Sequence, residues 1–221
     1  KQEVSAPMAA GPLRMGLIAD IQYSDREDGA DFSGTEKRHF RNALNITRAA
    51  VDQWNSVGVD VVVQLGDVID GCNSQAGTSS AALEQVLAVL QGAKARLGRF
   101  DLIGNHELYN IKREALARSG LHCTSPDGLT YYSTLLGDTS CWEAVFLDAY
   151  DHALIGYEDD HPGRKHAVSL MQAFNPKVLE AGGDWFAGLP LERHRYVPFN
   201  GGLSREQIEW LDITLAIAEA E

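Results

Sequence analysis

The run Val61-Val62-Val63-Gln64-Leu65-Gly66-Asp67-Val68-Ile69-Asp70 constrains this chain more than any other stretch. A short β-branched apolar run with no polar alternation reads as a strand buried on both faces, the kind found in parallel sheets. It breaks at Gly66, where the backbone is free to turn, and Asp67 and Asp70 follow. A strand tip of this form delivers carboxylates out of the core. Two similar tips flank it in sequence, Asp20-Ile21-Gln22 after the apolar run Leu13–Ala19, and Gly104-Asn105-His106-Glu107 after Phe100–Ile103.

The segments between these tips predict the topology. Phe40, Leu44, Thr47, Val51 and Trp54 recur at helical spacing and predict a helix from about Thr35 to the stop at Asn55–Gly58. Val86, Leu90, Ala93 and Leu97 predict a second helix closed by Gly98. Strand–helix–strand–helix–strand order implies right-handed crossovers and a largely parallel sheet, an α/β fold. In such sheets ligands sit beyond the carboxyl ends of the strands, where all three tips lie. Further on, Thr130–Leu136 and Trp142–Leu147 predict two strands, and residues 152–202 an irregular surface excursion. Ser204-Arg205-Glu206-Gln207 predicts a capped helix start with Ile208, Leu211, Leu215 and Ala218 as its buried face. Residues 1–11 read as a flexible leader and 12–221 as one domain.

Composition narrows the partners. A formal charge of −12 and a pI near 5.0 argue against nucleic acid or an anionic membrane surface. Three widely spaced cysteines, Cys72, Cys123 and Cys141, form no paired motif, which favours a reducing compartment, the cytoplasm. No run has the length of a membrane span or of a signal-peptide core.

The chemistry of the tips points to metal. A carboxylate such as Asp67 has two oxygens and can bridge two cations about 3.5–4 Å apart, the arrangement of two-metal phosphoryl chemistry. Asp20 would hold one cation and Asn105, through its amide oxygen, the other. Oxygen donors suit Mn²⁺, Mg²⁺ or Fe better than a thiolate-seeking metal, with Zn²⁺ a further option. His106 is placed to stabilise or protonate a leaving oxygen, and Asp70 to orient His106 or a metal ligand. Tyr23 and Tyr109 adjoin the tips, and Phe32 and Phe199 are aromatic candidates for stacking on a base.

These residues carry a resemblance. Asp20, Gly66-Asp67-x-x-Asp70 and Gly104-Asn105-His106-Glu107 resemble the calcineurin-like metallophosphoesterases. Asp20-Ile21-Gln22, Asp70-Gly71-Cys72-Asn73, Phe146-Leu147-Asp148-Ala149-Tyr150-Asp151 and Phe199-Asn200-Gly201-Gly202 are similar to one branch, the manganese-dependent ADP-ribose/CDP-alcohol diphosphatases. The resemblance implies a four-layer α/β/β/α sandwich with two divalent metals, Mn²⁺ first, at Asp20 and Gln22, a bridging Asp67, and Asn105. It implies hydrolysis of the pyrophosphate bond of small nucleotides such as ADP-ribose or CDP-choline, by in-line attack of a hydroxide held between the metals, in a monomer. The branch also carries a later His and a Gly-His-x-His pair that these residues lack, which implies a missing C-terminal part of the site. The rival expectations are a cyclic-nucleotide phosphodiesterase or phosphoprotein phosphatase of the same superfamily, and a non-catalytic scaffold of the same fold.

Overall fold

The computed structural model describes residues 12–31, 34–137, 142–180 and 185–220, so the expected leader lies outside the described residues. In chain order the elements are β1 (Met15–Ile18), β2 (Gly29–Ala30), β3 (Lys37–Arg38), α1 (Asn42–Val57), β4 (Val61–Gln64), α2 (Cys72–Ala76), α3 (Ser79–Leu90), β5 (Arg99–Asp101) and α4 (Asn105–Asn110). There follow β6 (Tyr132–Leu135), β7 (Glu143–Phe146), β8 (His152–Ala153), α5 (Pro162–Phe174), β9 (Gly201–Gly202) and α6 (Arg205–Ala220).

The three tip-bearing strands form one parallel sheet in the order β1-β4-β5, with Met15 opposite Val61 and Val62 opposite Arg99. All four residues of β4 are buried, as its unbroken apolar run requires. Its side chains alternate between two clusters. Val62 joins Leu44, Val51 and Trp54 of α1 and Val86, Leu87 and Leu90 of α3. Val61 and Val63 join Phe146 of β7, with Phe100, Tyr132 and Ala144 packed around them. The antiparallel hairpin β6–β7 therefore covers the face opposite the helices. Tyr132 stacks on Phe146, while the adjacent Tyr131, on the other side of the hairpin, meets Trp210 of α6 at 5.1 Å. The layers run helices, parallel sheet, hairpin, helix. This is the α/β/β/α order expected, its second sheet being a two-stranded pair among the described residues.

Four expectations change. The first long helix begins at Asn42, not near Thr35: Asp31 takes the N–H groups of Thr35 and Glu36, and the chain then returns as β3 against β2. The helix α3 ends at Leu90, with Gly92 and Gly98 in the connection to β5. The stretch read as irregular contains α5, started by Pro162 and a His161 side chain that accepts the Gly163 N–H. The face assigned to the last helix is largely exposed, with Ile208 and Leu215 each about half accessible. This helix is tied down instead by its first turn, where buried Gln207 bonds both the N–H and the carbonyl of Asp148.

One position tests the helix-facing core directly. Gly16 on β1 lies flat against the Trp54 indole, and a Cβ there would come within 2.9 Å of the ring. Gly16→Val should destabilise the protein by about 1–3 kcal/mol through overpacking. A urea unfolding curve that does not shift would contradict this packing.

Candidate metal centre

The parallel ladder does not stop where the strands do. The Asp20 and Gln22 N–H groups donate to the Gly66 and Asp67 carbonyls at 3.1 and 2.8 Å, and Tyr23 donates to Val68. Buried Gln64 adds its own amide to the Gly66 carbonyl at 2.6 Å. The two tips are thus zipped side by side beyond the sheet. Along this zipper Asp20, Gln22 and Asp67 have φ of 53°, 44° and 61°. They are the non-glycine residues in the left-handed region among those described. Each such residue costs on the order of 1 kcal/mol or more unless its surroundings enforce it.

The strain brings three polar side chains together. The Gln22 amide nitrogen lies 3.2 Å from Asp67 Oδ2 and 3.5 Å from Asp20 Oδ1. The other oxygen of Asp67, Oδ1, accepts the His106 N–H at 2.9 Å, on the α4 side. Asp67 therefore presents one oxygen to each of two neighbours, as a bridging carboxylate must. Among the described residues neither Asp20 nor Asp67 is paired with a Lys or Arg. Asn105, in the first turn of α4, directs its amide nitrogen to the Tyr109 hydroxyl at 3.3 Å, which leaves its amide oxygen for the centre. Two carboxylates and two amides with no internal counter-cation fit an oxygen-seeking divalent cation. Binding one would turn the Gln22 amide so that its oxygen, not its nitrogen, faces the metal. Among the described residues no group of three or more His, Cys, Asp or Glu is arranged to hold a metal, so half of this donor set is amide.

Glu107, to which the tip motif assigned no task, holds the arrangement from below. Fully buried, its carboxylate accepts the N–H groups of Gly104, Asp67 and Val68 at 2.7, 2.8 and 2.7 Å. Burial pushes its pKa up to about 7, against the pull of those three bonds. Its place three residues after Gly104 is the reach-back half of a capping box, the signal by which it was legible. Gly104 has no room for a side chain, since a Cβ there would stand 2.1 Å from Asp67 Oδ1.

His106 adjoins the cluster but not as expected. Its Nδ1 accepts the Gly71 N–H at 2.7 Å, so the ring proton sits on Nε2 and the imidazole is neutral. Asp70 is 3.8 Å from that nitrogen, too far for a hydrogen bond. The Asp70 carboxylate is instead engaged by Arg38 at 2.7 Å and the Cys72 N–H at 2.9 Å. The expected orienting role of Asp70 is corrected on this point: the Gly71 backbone orients the ring, and Asp70 shapes the turn.

The aromatic candidates separate. Tyr109 belongs to the centre, edge-on to the His106 ring at 5.5 Å, with its phenol raised by burial and further by the Asp67 charge. Tyr23 does not. It is buried and bonds Gln85, because alternation along the zipper turns it into the core when Gln22 faces out. Phe199 packs against Trp185 at 5.9 Å, and Phe32 lies outside the described residues. A residue not singled out, half-buried Tyr150 beyond β7, lies near enough to feel the Asp67 charge. Burial first, and then the Asp67 and Tyr109 charges, push that phenol up to about 12.

No protein-family model matches the chain. It is 36% identical over 218 residues to a manganese-dependent ADP-ribose/CDP-alcohol diphosphatase of Danio rerio, a match covering 92% of this chain and 65% of that protein. The proteins of the same name from Homo sapiens and Arabidopsis thaliana are 31% and 34% identical, over 92% and 90% of the chain and 61% of each relative. The chain thus spans somewhat under two thirds of the length of these relatives. Among solved structures, a dimetal phosphatase from Danio rerio superposes with a TM-score of 0.82 at 33% identity, covering 93% of this chain and 65% of that one. The metallophosphoesterase fold expected from the strand-tip motifs therefore stands. By sequence and by fold, the chain is similar to the manganese-dependent ADP-ribose/CDP-alcohol diphosphatases over the part that it spans.

Proposed function

We propose that the protein is a metal-dependent hydrolase of the pyrophosphate bond in small nucleoside-diphosphate compounds, ADP-ribose and CDP-alcohols being the substrate class. One observation carries this reading: strained Asp20, Gln22 and Asp67 converge, without a counter-cation, on a carboxylate whose two oxygens face two sides. The names of the relatives support both the substrate class and manganese. Asp20 and Gln22 would hold one cation, Asn105 a second, and Asp67 both. Bound there, two divalent cations supply Lewis acidity toward the phosphoryl oxygens and acidify water.

The rest is done by side chains. His106, fixed by Gly71 as the Nε2–H tautomer, is a neutral donor. It suits stabilisation of charge building on a phosphoryl or leaving oxygen better than delivery of a proton from an imidazolium. Tyr109 holds the Asn105 amide so that its oxygen stays available. The setting we assign is a reducing cytoplasm and a monomer; the free thiols of Cys72 and Cys123 support the former. Among the described residues no helix is long and apolar enough to cross a membrane.

Three substitutions separate the roles. Asp67→Asn should reduce Mn²⁺ affinity on the order of a hundredfold and abolish ADP-ribose turnover; a variant active at saturating Mn²⁺ would remove Asp67 from the bridging position. Gly104→Ala should weaken Mn²⁺ binding by about tenfold or more while the fold persists, because the new methyl displaces the Asp67 carboxylate. Calorimetric titration with Mn²⁺ checks it, and an unaltered isotherm would refute the close approach. His106→Ala should lower kcat about a hundredfold with Mn²⁺ content unchanged. Metal loss in that variant would make His106 a ligand.

A further inference from the structure

We propose that Tyr109 is a substrate-contact residue of this centre, its hydroxyl donating to a phosphoryl oxygen. The inference rests on the diphosphatase reading above and adds a donor to it. Within α4, Glu107 and Leu108 are buried, which leaves Asn105, His106 and Tyr109 on the side away from the core. Spacings of four and three residues put Tyr109 beside both of the others. Its ring is held from two directions. It stands edge-on to His106 at 5.5 Å, and it lies against Gly71, where a Cβ would come within 3.0 Å of Tyr109 Cδ2. The same Cβ would come within 3.6 Å of His106 Nδ1, so one glycine seats both rings.

The hydroxyl reaches the centre by direct contact. Its oxygen accepts the Asn105 side-chain N–H at 3.3 Å, and Asn105 is the residue assigned to the second cation. The adjacent backbone N–H of His106 donates to Asp67 Oδ1 at 2.9 Å, so the first turn of α4 is tied to the bridging carboxylate. With its oxygen occupied as an acceptor, the phenol still has its own proton to give. Among the described residues that proton meets no acceptor. Tyr109 is 38% exposed, so a ligand can reach it. An O–H facing outward beside metal ligands calls for an oxygen on whatever binds the metals, and a phosphoryl group supplies one. The assignment also answers a charge problem, because among the described residues no Lys or Arg is bonded to Asp20, Gln22, Asp67 or Asn105. Besides the cations, α4 offers a diphosphate two neutral donors, the His106 Nε2–H and the Tyr109 O–H.

Tyr109→Phe removes the hydroxyl and keeps the ring and its packing. It also frees the Asn105 amide, so the two roles of the hydroxyl are read in separate steps. Wild type and variant are titrated first with Mn²⁺, monitored by electron paramagnetic resonance. The full chain at saturating Mn²⁺ is then titrated with inorganic phosphate by calorimetry, where a difference in metal affinity no longer counts. The expected result is a variant that still fills with Mn²⁺ and binds phosphate about tenfold more weakly, the effect of losing one hydrogen bond to a charged group. Phosphate affinity equal to that of wild type at saturating Mn²⁺ would overturn the proposal and leave Tyr109 a positioning residue for Asn105. A variant that takes up no Mn²⁺ would overturn it too. A wild-type protein that takes up no Mn²⁺ would overturn the metal-centre reading itself, and this arm is read before any substitution enters.

Discussion

The centre depends on one buried carboxylate. Glu107 gathers the N–H groups of Gly104, Asp67 and Val68, and so fastens the tip of the second sheet strand to the first turn of the helix beginning at Asn105. Three short bonds to one carboxyl group solve two problems at once. They satisfy amide groups that would otherwise be buried without partners, and they fix the distance between the two backbone segments that carry the ligands. Gly104 is the corollary, because two chains drawn this close leave no volume for a side chain beside Asp67.

On that frame the protein holds three residues in a backbone conformation they would not choose. The ladder from Asp20–Tyr23 to Gly66–Val68 supplies the enforcement, and Gln64 strengthens it from within the core. The result is a concentration of negative charge that repels itself until a cation arrives. Strain of this kind persists where the surroundings over-determine it, and its coincidence with the candidate ligands ties the local backbone to the chemistry. His106 is held on the same plan, by a backbone N–H from Gly71 that fixes its ring.

Much of this was legible before any coordinates. A β-branched run that ends in glycine and an acid marks a tip, and parallel order brings such tips together; Asp20, Asp67 and Asn105 follow from that, and Gln22 from the resemblance of Asp20-Ile21-Gln22 to the diphosphatase branch. Tyr23 was misplaced although alternation along an extended chain assigns it the opposite side from Gln22. The strands at Gly29–Ala30 and Lys37–Arg38 have two residues each and carry no periodicity to read. The helix at Pro162–Phe174 was obscured by proline, glycine and charge in its first turn. The tautomer of His106 depends on a contact with Gly71, 35 residues away in the chain. Contacts of that range are properties of the packed fold and leave little trace in local pattern.

The central claim is that the Asp67 carboxylate lies between two cation positions. Crystals of the full chain soaked in Mn²⁺ and measured at an energy where manganese scatters anomalously would address it directly. The account predicts anomalous peaks within coordination distance of both Asp67 oxygens, one also contacting Asp20 and the turned amide of Gln22, the other the amide oxygen of Asn105. A map with no peak at Asp67, and Gln22 still bonded through nitrogen to both carboxylates, would contradict it.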